Sequence, residues 1–394
     1  MKILVVSPQF PSPAMPMRGL TSNEQFRLMR NAGHEISAVV PLPWVPPGIL
    51  HPEWQTRRAI PSVESDHGVE IAHPRYIPLG RLSRLPATVG MQRQLFWHAL
   101  RPFVSSFAAR GGHIVHAHSS GLPGCMAGKT GHAKLVVSML DHELFDVAPA
   151  APVWRRAIVD TLRRADTVVY LSPLLMRLGL EAAGPHEACV IPLAIDVYDD
   201  LRPKRASTFT ISTAARLIER KKIHVLIEAF ATFQRTVPTA RLVIIGDGPE
   251  RSRLEKLAIR LGVGRAIDFT GSLPHREAVS RIGESHVFAL ASVRESLGTV
   301  YFEAMSQGVP VIATLGEGIA DFIQDGTDGF LVKPDDPTPL LQVLHALHGS
   351  SELWHRIAEA GRARFERSGV RWTDSVSAHL ALFEQLVRKN RPSS

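Results

Sequence analysis

Short runs of β-branched and leucine residues alternate with helical stretches along this chain, the arrangement that builds parallel sheets covered by helices on both faces. In the first half, apolar runs at residues 3–7, 36–40, 114–117, 135–138, 167–171 and 189–191 predict strands, and residues 23–32, 154–163 and 173–182 predict helices. Residues 192–207 hold Asp196, Asp199, Asp200, Pro203 and Lys204 without periodicity and predict a linker. The alternation then restarts, with strands expected at 209–214, 241–245, 267–270, 287–291 and 309–313 and helices at 224–236, 250–261, 276–284 and 299–307. Residues 371–388 place Trp372, Val376, Leu380, Leu382, Phe383 and Leu386 at helical spacing, predicting an amphipathic helix that packs back on the first half. The expected architecture is α/β, with doubly wound domains at 1–192 and 208–370, a linker at 193–207 and a crossover helix and tail at 371–394. In such sheets ligands bind outside the carboxyl ends of the strands, so a central cleft faced by both domains is the expected binding region.

Length and composition agree with this division. The chain has 394 residues, 45% hydrophobic and 21% charged, a globular mixture that suits two cores and excludes disorder or a fibrous repeat. Cys125 and Cys189 are far apart and lack CxxC spacing, which argues against a disulfide framework or a cysteine zinc site and fits a reducing compartment. The first apolar run is too short for a signal peptide core or a spanning helix, so a cytoplasmic protein is expected. Residues 1–110 hold twelve Lys/Arg against six Asp/Glu, and no acid lies between Glu70 and Asp141. The basic, partly apolar stretch at 81–110 has two readings: a core-packed helix with a solvated basic face, or a surface in peripheral contact with an anionic membrane. Nucleic acid is the weaker partner, since no recognised nucleic-acid motif accompanies the charge.

Candidate chemistry concentrates in the second half. Arg216 and Lys221 follow a predicted strand end, where two cations can stabilise the charge on a departing diphosphate. Gly246-Asp247-Gly248-Pro249-Glu250 is a strand-to-helix turn whose glycines allow close backbone approach to a ligand and whose helix start offers amides. Glu295 and Glu303 stand eight positions apart around a glycine turn and helix start. Carboxylates accept paired hydroxyls well, and amides near Ser296, Leu297, Gly298 and Thr299 can meet a phosphate. His116 and His118 invite a metal reading, but taken as pointing to opposite faces of their strand they do not make a two-histidine site. No carboxylate pair is placed to hold a metal-diphosphate.

These blocks, together with Phe269-Thr270-Gly271, Gly308-Val309-Pro310-Val311-Ile312-Ala313-Thr314 and Asp325-Gly326-x-x-Gly329-Phe330-Leu331-Val332, resemble in order and spacing the nucleotide-sugar glycosyltransferases of family 4. The first half adds Gly19 before a helix, Gly33-His34-Glu35-Ile36, Ile114-Val115-His116-Ala117-His118 and Ala165-Asp166-Thr167-Val168-Val169, resembling the subgroup that modifies polysaccharides and similar polar acceptors. The resemblance implies a GT-B fold and a retaining, metal-independent transfer from a nucleotide-sugar co-substrate, with no resident cofactor. It implies that Arg216 and Lys221 hold the diphosphate, that Glu295 contacts the donor sugar, and that Glu303 holds the ribose. Gly19, Gly246 and residues Ser296 to Thr299 complete the expected donor contacts. UDP is the expected nucleotide, with GDP next, and the acceptor is polar or lipid-linked, selected by residues 41–110.

The chain departs from the family pattern at several positions. Leu140 stands where a histidine near the anomeric carbon is usual, leaving His118, Asp141 and His142 as candidate active-site groups. Gly19, beside Arg18, stands alone where paired glycines are common. Lys222 replaces a usual glycine, and Glu317-Gly318-Ile319-Ala320-Asp321 replaces a Gly-Gly-x-Pro-Glu run. Two other functions remain open on these residues: a non-catalytic nucleotide-sugar-binding subunit of another transferase, which Leu140 favours, and a nucleotide-sugar epimerase, which the paired glutamates disfavour.

Overall fold

The computed structural model describes residues 1–8, 20–49, 51–66, 68–80, 86–139, 144–145, 152–201 and 203–389, with the backbone alone for 20–23 and 86–87. It divides into two units, Met1–Pro192 with Trp372–Ser394, and Leu193–Arg371.

Unit 1 runs β1 (Lys2–Val6), α1 (Leu20–Asn31), β2 (Glu35–Val39), β3 (Leu42–Pro43), α2 (Pro52–Ala59), β4 (Val63–Asp66), β5 (Val69–Ala72), β6 (Arg75–Tyr76), α3 (Pro86–Ala109), β7 (Ile114–His118), β8 (Lys134–Met139), α4 (Pro152–Arg164), β9 (Thr167–Tyr170), α5 (Pro173–Ala183) and β10 (Ala188–Val190). Its main sheet has the order β10-β9-β8-β7-β1-β2-β5-β4. All neighbours in it are parallel except β4 and β5. The central strands are apolar runs because helices cover both faces. The edge strand β4, by contrast, exposes Val63 and Ser65 and carries Glu64 and Asp66, charges that discourage pairing with another chain.

The stretch from 41 to 80, left without elements by its sequence pattern, contains α2 and four short strands. Runs of two to four residues are too short for a periodic signal. Over 86–109 the core-packed helix is what forms: Val89, Phe96, Leu100, Val104 and Phe107 are buried along one side of α3, while Arg101 is exposed.

Unit 2 runs β11 (Thr210–Ala214), α6 (Ile223–Thr236), β12 (Arg241–Ile245), α7 (Arg251–Arg260), β13 (Ile267–Gly271), α8 (His275–Gly283), β14 (Val287–Ala289), α9 (Thr299–Ser306), β15 (Val311–Thr314), β16 (Phe330–Val332), α10 (Pro337–Gly349) and α11 (Ser351–Glu366). Its six parallel strands lie in the order β13-β12-β11-β14-β15-β16. Numbered from β11, this is the doubly wound order 3-2-1-4-5-6, which reverses direction between β11 and β14. Register across that point pairs Ile211 with Val287 and Ser212 with Phe288.

The last helix, α12 (Trp372–Arg388), returns to unit 1. Its Val376, Phe383 and Leu386 join one buried cluster with Phe26 and Met29 of α1 and Ile3 and Val5 of β1. Burial of such side chains contributes roughly 1.5–3 kcal/mol each, ample to hold a 17-residue helix far in sequence from its partners.

Candidate active site

The reversal of strand order in unit 2 leaves the loops after β11 and after β14 diverging to opposite faces of the sheet, which opens a crevice at their start. Arg216 and Lys221 lie in the first loop, Glu295 to Gly298 in the second. The two loops are tied together by backbone and side chain. The Val293 amide donates to the Arg220 carbonyl at 2.9 Å, and Arg220 Nη1 donates to the Arg294 carbonyl at 3.2 Å. The Lys221 ammonium donates to Glu295 Oε2, an ion pair whose side chains are only 14% and 12% exposed. Arg216 is exposed, and among the described residues its guanidinium forms no ion pair or side-chain hydrogen bond.

Close backbone packing sets the first loop. A Cβ on Gly246 would lie 2.0 Å from the Ala215 carbonyl oxygen, and one on Gly248 would lie 2.4 Å from that of Leu217. The Leu217 amide donates to the Asp247 carbonyl, and the Leu217 carbonyl accepts from the Glu250 amide. The Gly-Asp-Gly turn therefore seats the Arg216 loop, and much of its own hydrogen bonding is internal. The Gly246 amide donates to Gly271, the Gly248 amide to Asp247 Oδ1 and the Arg251 amide to Gly248. Pro249 and Glu250 precede the helix rather than occupy its first turn, since α7 starts at Arg251.

The second loop rests on the segment after β15. The Glu295 amide donates to Glu317 Oε2 at 2.6 Å, and the Gly318 amide donates to the Glu295 carbonyl at 3.0 Å. A Cβ on Gly318 would fall 2.0 Å from the Ser296 carbonyl oxygen. Burial pushes the Glu317 carboxyl up from its ordinary value, partly opposed by the amides of Glu295 and Arg294. Leu297 is buried, whereas Thr299 is half-buried at the start of α9. Gly298 adopts φ 77°, ψ 63° and caps α9 without a side-chain bond. Free helix-start amides and the macrodipole favour an anion there.

Glu303 sits one turn further along α9, and its Oε1 accepts from His275 Nε2 at 3.1 Å. His275 Nδ1 meets the Tyr198 hydroxyl at 2.9 Å. The Glu303 carboxylate raises the imidazole pKa above its ordinary 6.5, against the opposing effect of burial. Sequence reasoning missed Glu317, His275 and Tyr198 as site residues. Glu317 stands out in the sequence only as a departure from the family pattern, while His275 reaches Glu303 from 28 residues upstream and Tyr198 reaches His275 from the linker, proximities that only folding creates.

In unit 1 the histidines require a correction. His116 and His118 do not point to opposite faces: their ring centroids are 4.6 Å apart, because residues i and i+2 of a strand share a face. His379 of α12 joins them, 5.5 Å from His116. His116 Nε2 pairs with Ser138 Oγ at 2.8 Å, and His379 Nδ1–H donates to the Ser375 carbonyl at 2.8 Å. Burial depresses all three, His118 to about 3 and His379 to about 4, so they are neutral core groups at pH 7. Among the described residues no group of three or more His, Cys, Asp or Glu side chains is arranged to hold a metal ion. Gly19 with Arg18, and Leu140, Asp141, His142 and Glu143, lie outside the described residues.

The switch-point geometry coincides with a sequence match. Residues 200–364 match the model of the family described as glycosyl transferases group 1. The match covers nearly all of unit 2 and every candidate residue named there except Tyr198. Among curated proteins the chain is 36% identical over 179 residues to the lipopolysaccharide core biosynthesis glycosyltransferase LpsE of Rhizobium meliloti, covering 43% of this chain and 49% of that one. It is 27% identical over 383 residues to the sulfoquinovosyl transferase SQD2 of Arabidopsis thaliana, covering 91% of this chain and 69% of that one. The chain thus spans about half to two thirds of the length of these relatives. Among solved structures, Anabaena Alr3699/HepE in complex with UDP superposes with a TM-score of 0.74 at 17% identity, over 98% of this chain and 100% of that one. The two proteins share the GT-B fold of paired doubly wound units.

Proposed function

We propose that the protein transfers a sugar from a nucleotide-sugar, a UDP-sugar by preference, to a polar or lipid-linked acceptor, with retention of anomeric configuration and without a metal. The observation that carries the reading is the pairing of Lys221 with Glu295 across the switch-point loops, beside an exposed Arg216 and the open start of α9. Arg216, Lys221 and the α9 amides supply positive potential for a diphosphate, the role a divalent cation plays in sites that lack such cations. Glu295 then faces the sugar end and Glu303 the ribose. In the transfer, the bond from the anomeric carbon to the diphosphate oxygen breaks as the acceptor oxygen bonds to that carbon. The acceptor's proton passes to the departing diphosphate oxygen, and Arg216 and Lys221 stabilise the charge that remains. The UDP in the HepE complex and the sugar-transferring relatives support this choice of donor.

Calorimetric titration with UDP, GDP and ADP and their sugar conjugates, without added metal, tests the reading. The wild type binds one nucleotide, Arg216→Ala weakens it by about tenfold or more, and Glu303→Ala weakens it also. Glu295→Ala leaves bare nucleotide binding within about threefold, because Lys221 is released to the phosphates, but impairs use of the sugar donor. Equal losses of bare nucleotide affinity in both glutamate variants contradict the division of roles, and no binding by the wild type favours the non-catalytic subunit.

A further inference from the structure

The bond between His275 and Glu303 is one link of a longer chain within unit 2. Going outward from Glu303, whose side chain is 12% exposed, come His275 at 3.1 Å and Tyr198 at 2.9 Å. Asp196 Oδ2 stands 4.0 Å from His275 Nδ1. The guanidinium of Arg276 lies 5.0 Å over the Tyr198 ring and pairs with Asp200. Tyr198, Asp196 and Asp200 all belong to the segment that connects β10 to β11, whereas His275 and Arg276 open α8 and Glu303 lies in α9. Three separate pieces of chain thus meet at the His275 imidazole, which takes Glu303 on one nitrogen and faces Tyr198 and Asp196 with the other. A carboxylate has two oxygens, and the imidazole takes Oε1, which leaves Oε2 to accept from a ligand.

We infer that His275 is a positioning residue for nucleotide recognition: through Nε2 it locks the Glu303 carboxylate in the orientation that accepts a ribose diol, and Tyr198 locks His275 in turn. The inference rests on the reading of Glu303 as the ribose-binding group and adds to it the residues that hold that group. Without the imidazole the Glu303 side chain regains rotamer freedom that binding must then remove, so selectivity for the diol falls although no ligand contact has been deleted. Glutamine at position 275 offers an amide N–H toward Glu303 and a carbonyl oxygen toward the Tyr198 hydroxyl, and so replaces both bonds.

The test compares affinity for the nucleoside diphosphate that the wild type binds, among UDP, GDP and ADP, with affinity for its 2′-deoxy form. A hydrogen bond to a charged acceptor gives the wild type a preference for the ribose form of about tenfold or more, which Glu303→Ala erases. His275→Ala lowers that preference by about fivefold, Tyr198→Phe by about twofold, and His275→Gln keeps it within about twofold of wild type. Thermal melting of each variant identifies any that fail to fold, and Tyr198→Phe carries the test if His275→Ala does. A preference unchanged in His275→Ala and Tyr198→Phe while Glu303→Ala erases it overturns the inference and leaves the ribose site standing. A wild type that binds none of the three nucleotides, or binds ribose and deoxyribose forms equally, rejects the reading of Glu303 itself.

Discussion

The two units share a parallel doubly wound design yet treat polar groups at the carboxyl ends of their central strands in opposite ways. In unit 2, polar and charged groups in the loops and in the helices that follow them find partners: Lys221 with Glu295, His275 with Glu303, and the Glu295 amide with Glu317. In unit 1 the end of β7 carries His116 and His118, enclosed with His379 and Phe383 and kept neutral by burial. A charged group near a loop keeps its ionisation if a partner is close, whereas a group sealed into a core loses it. The first arrangement suits an anionic ligand; the second joins a distant helix to a sheet and makes that junction sensitive to acid.

That contrast is broken most strongly by lowering pH. An unfolded imidazole takes up its proton near 6.5, whereas folded His379 does so at about 4 and His118 at about 3. Because the folded values are depressed, the stability is present above 6.5 and is lost as pH falls toward 4, at about 1.4 kcal/mol per pH unit for each histidine. Amide exchange in β7 and α12 is expected to accelerate from pH 6.5 to 5 ahead of exchange in β11 and β12. His379→Leu should lessen that slope by about a third, and an identical slope in wild type and variant removes the cluster as its cause.

A smaller effect sharpens the other side of the comparison. Gly318→Ala drives a methyl group against the Ser296 carbonyl, a backbone atom with little freedom to move, and should cost about 1–3 kcal/mol of stability together with nucleotide affinity. Gly349→Ala, where nothing lies within 4 Å of the new Cβ, is the control and should be neutral or slightly stabilising. Chemical denaturation that ranks the two alike would mean that the loop carrying Glu295 does not depend on its contact with the 317–318 segment.

The smallest effect concerns Lys222, which holds φ 51°, ψ 32°, a left-handed conformation that suits glycine. Its ammonium pairs with Asp335 at 2.8 Å, an ion pair that contributes at most about 1 kcal/mol at a partly exposed position. Lys222→Gly is therefore expected to change stability by no more than about 1 kcal/mol, in the stabilising direction when salt has screened the ion pair. Melting curves at low and high ionic strength check this, and a loss that persists at high salt would assign Lys222 a further contact.

Where long apolar runs recur, as at β1, β7, β12 and α6, the sequence pattern located the element to within a residue or two, because local hydrophobic periodicity and final burial coincide there. The pattern was silent on β3 to β6, whose pairing is made by neighbours rather than by their own residues. Among the candidate site residues, Arg216, Lys221, Glu295 and Glu303 stand out in the sequence because each lies in a recognisable block that runs from a strand end into the helix that follows. His275 and Tyr198 do not, since neither has a local signal and each meets its partner only across the fold.

The sequence alone determined the alternation of the longer strands and helices and the loops in which charge collects, which follow from residue type and spacing along the chain. Only the tertiary structure decided which charges meet, that the Gly246 turn packs on the Arg216 loop, and that three histidines share one buried face. The physical reason is that hydrogen bonds and ion pairs act over about 3–4 Å in space, while periodicity reports only which side of an element faces the core.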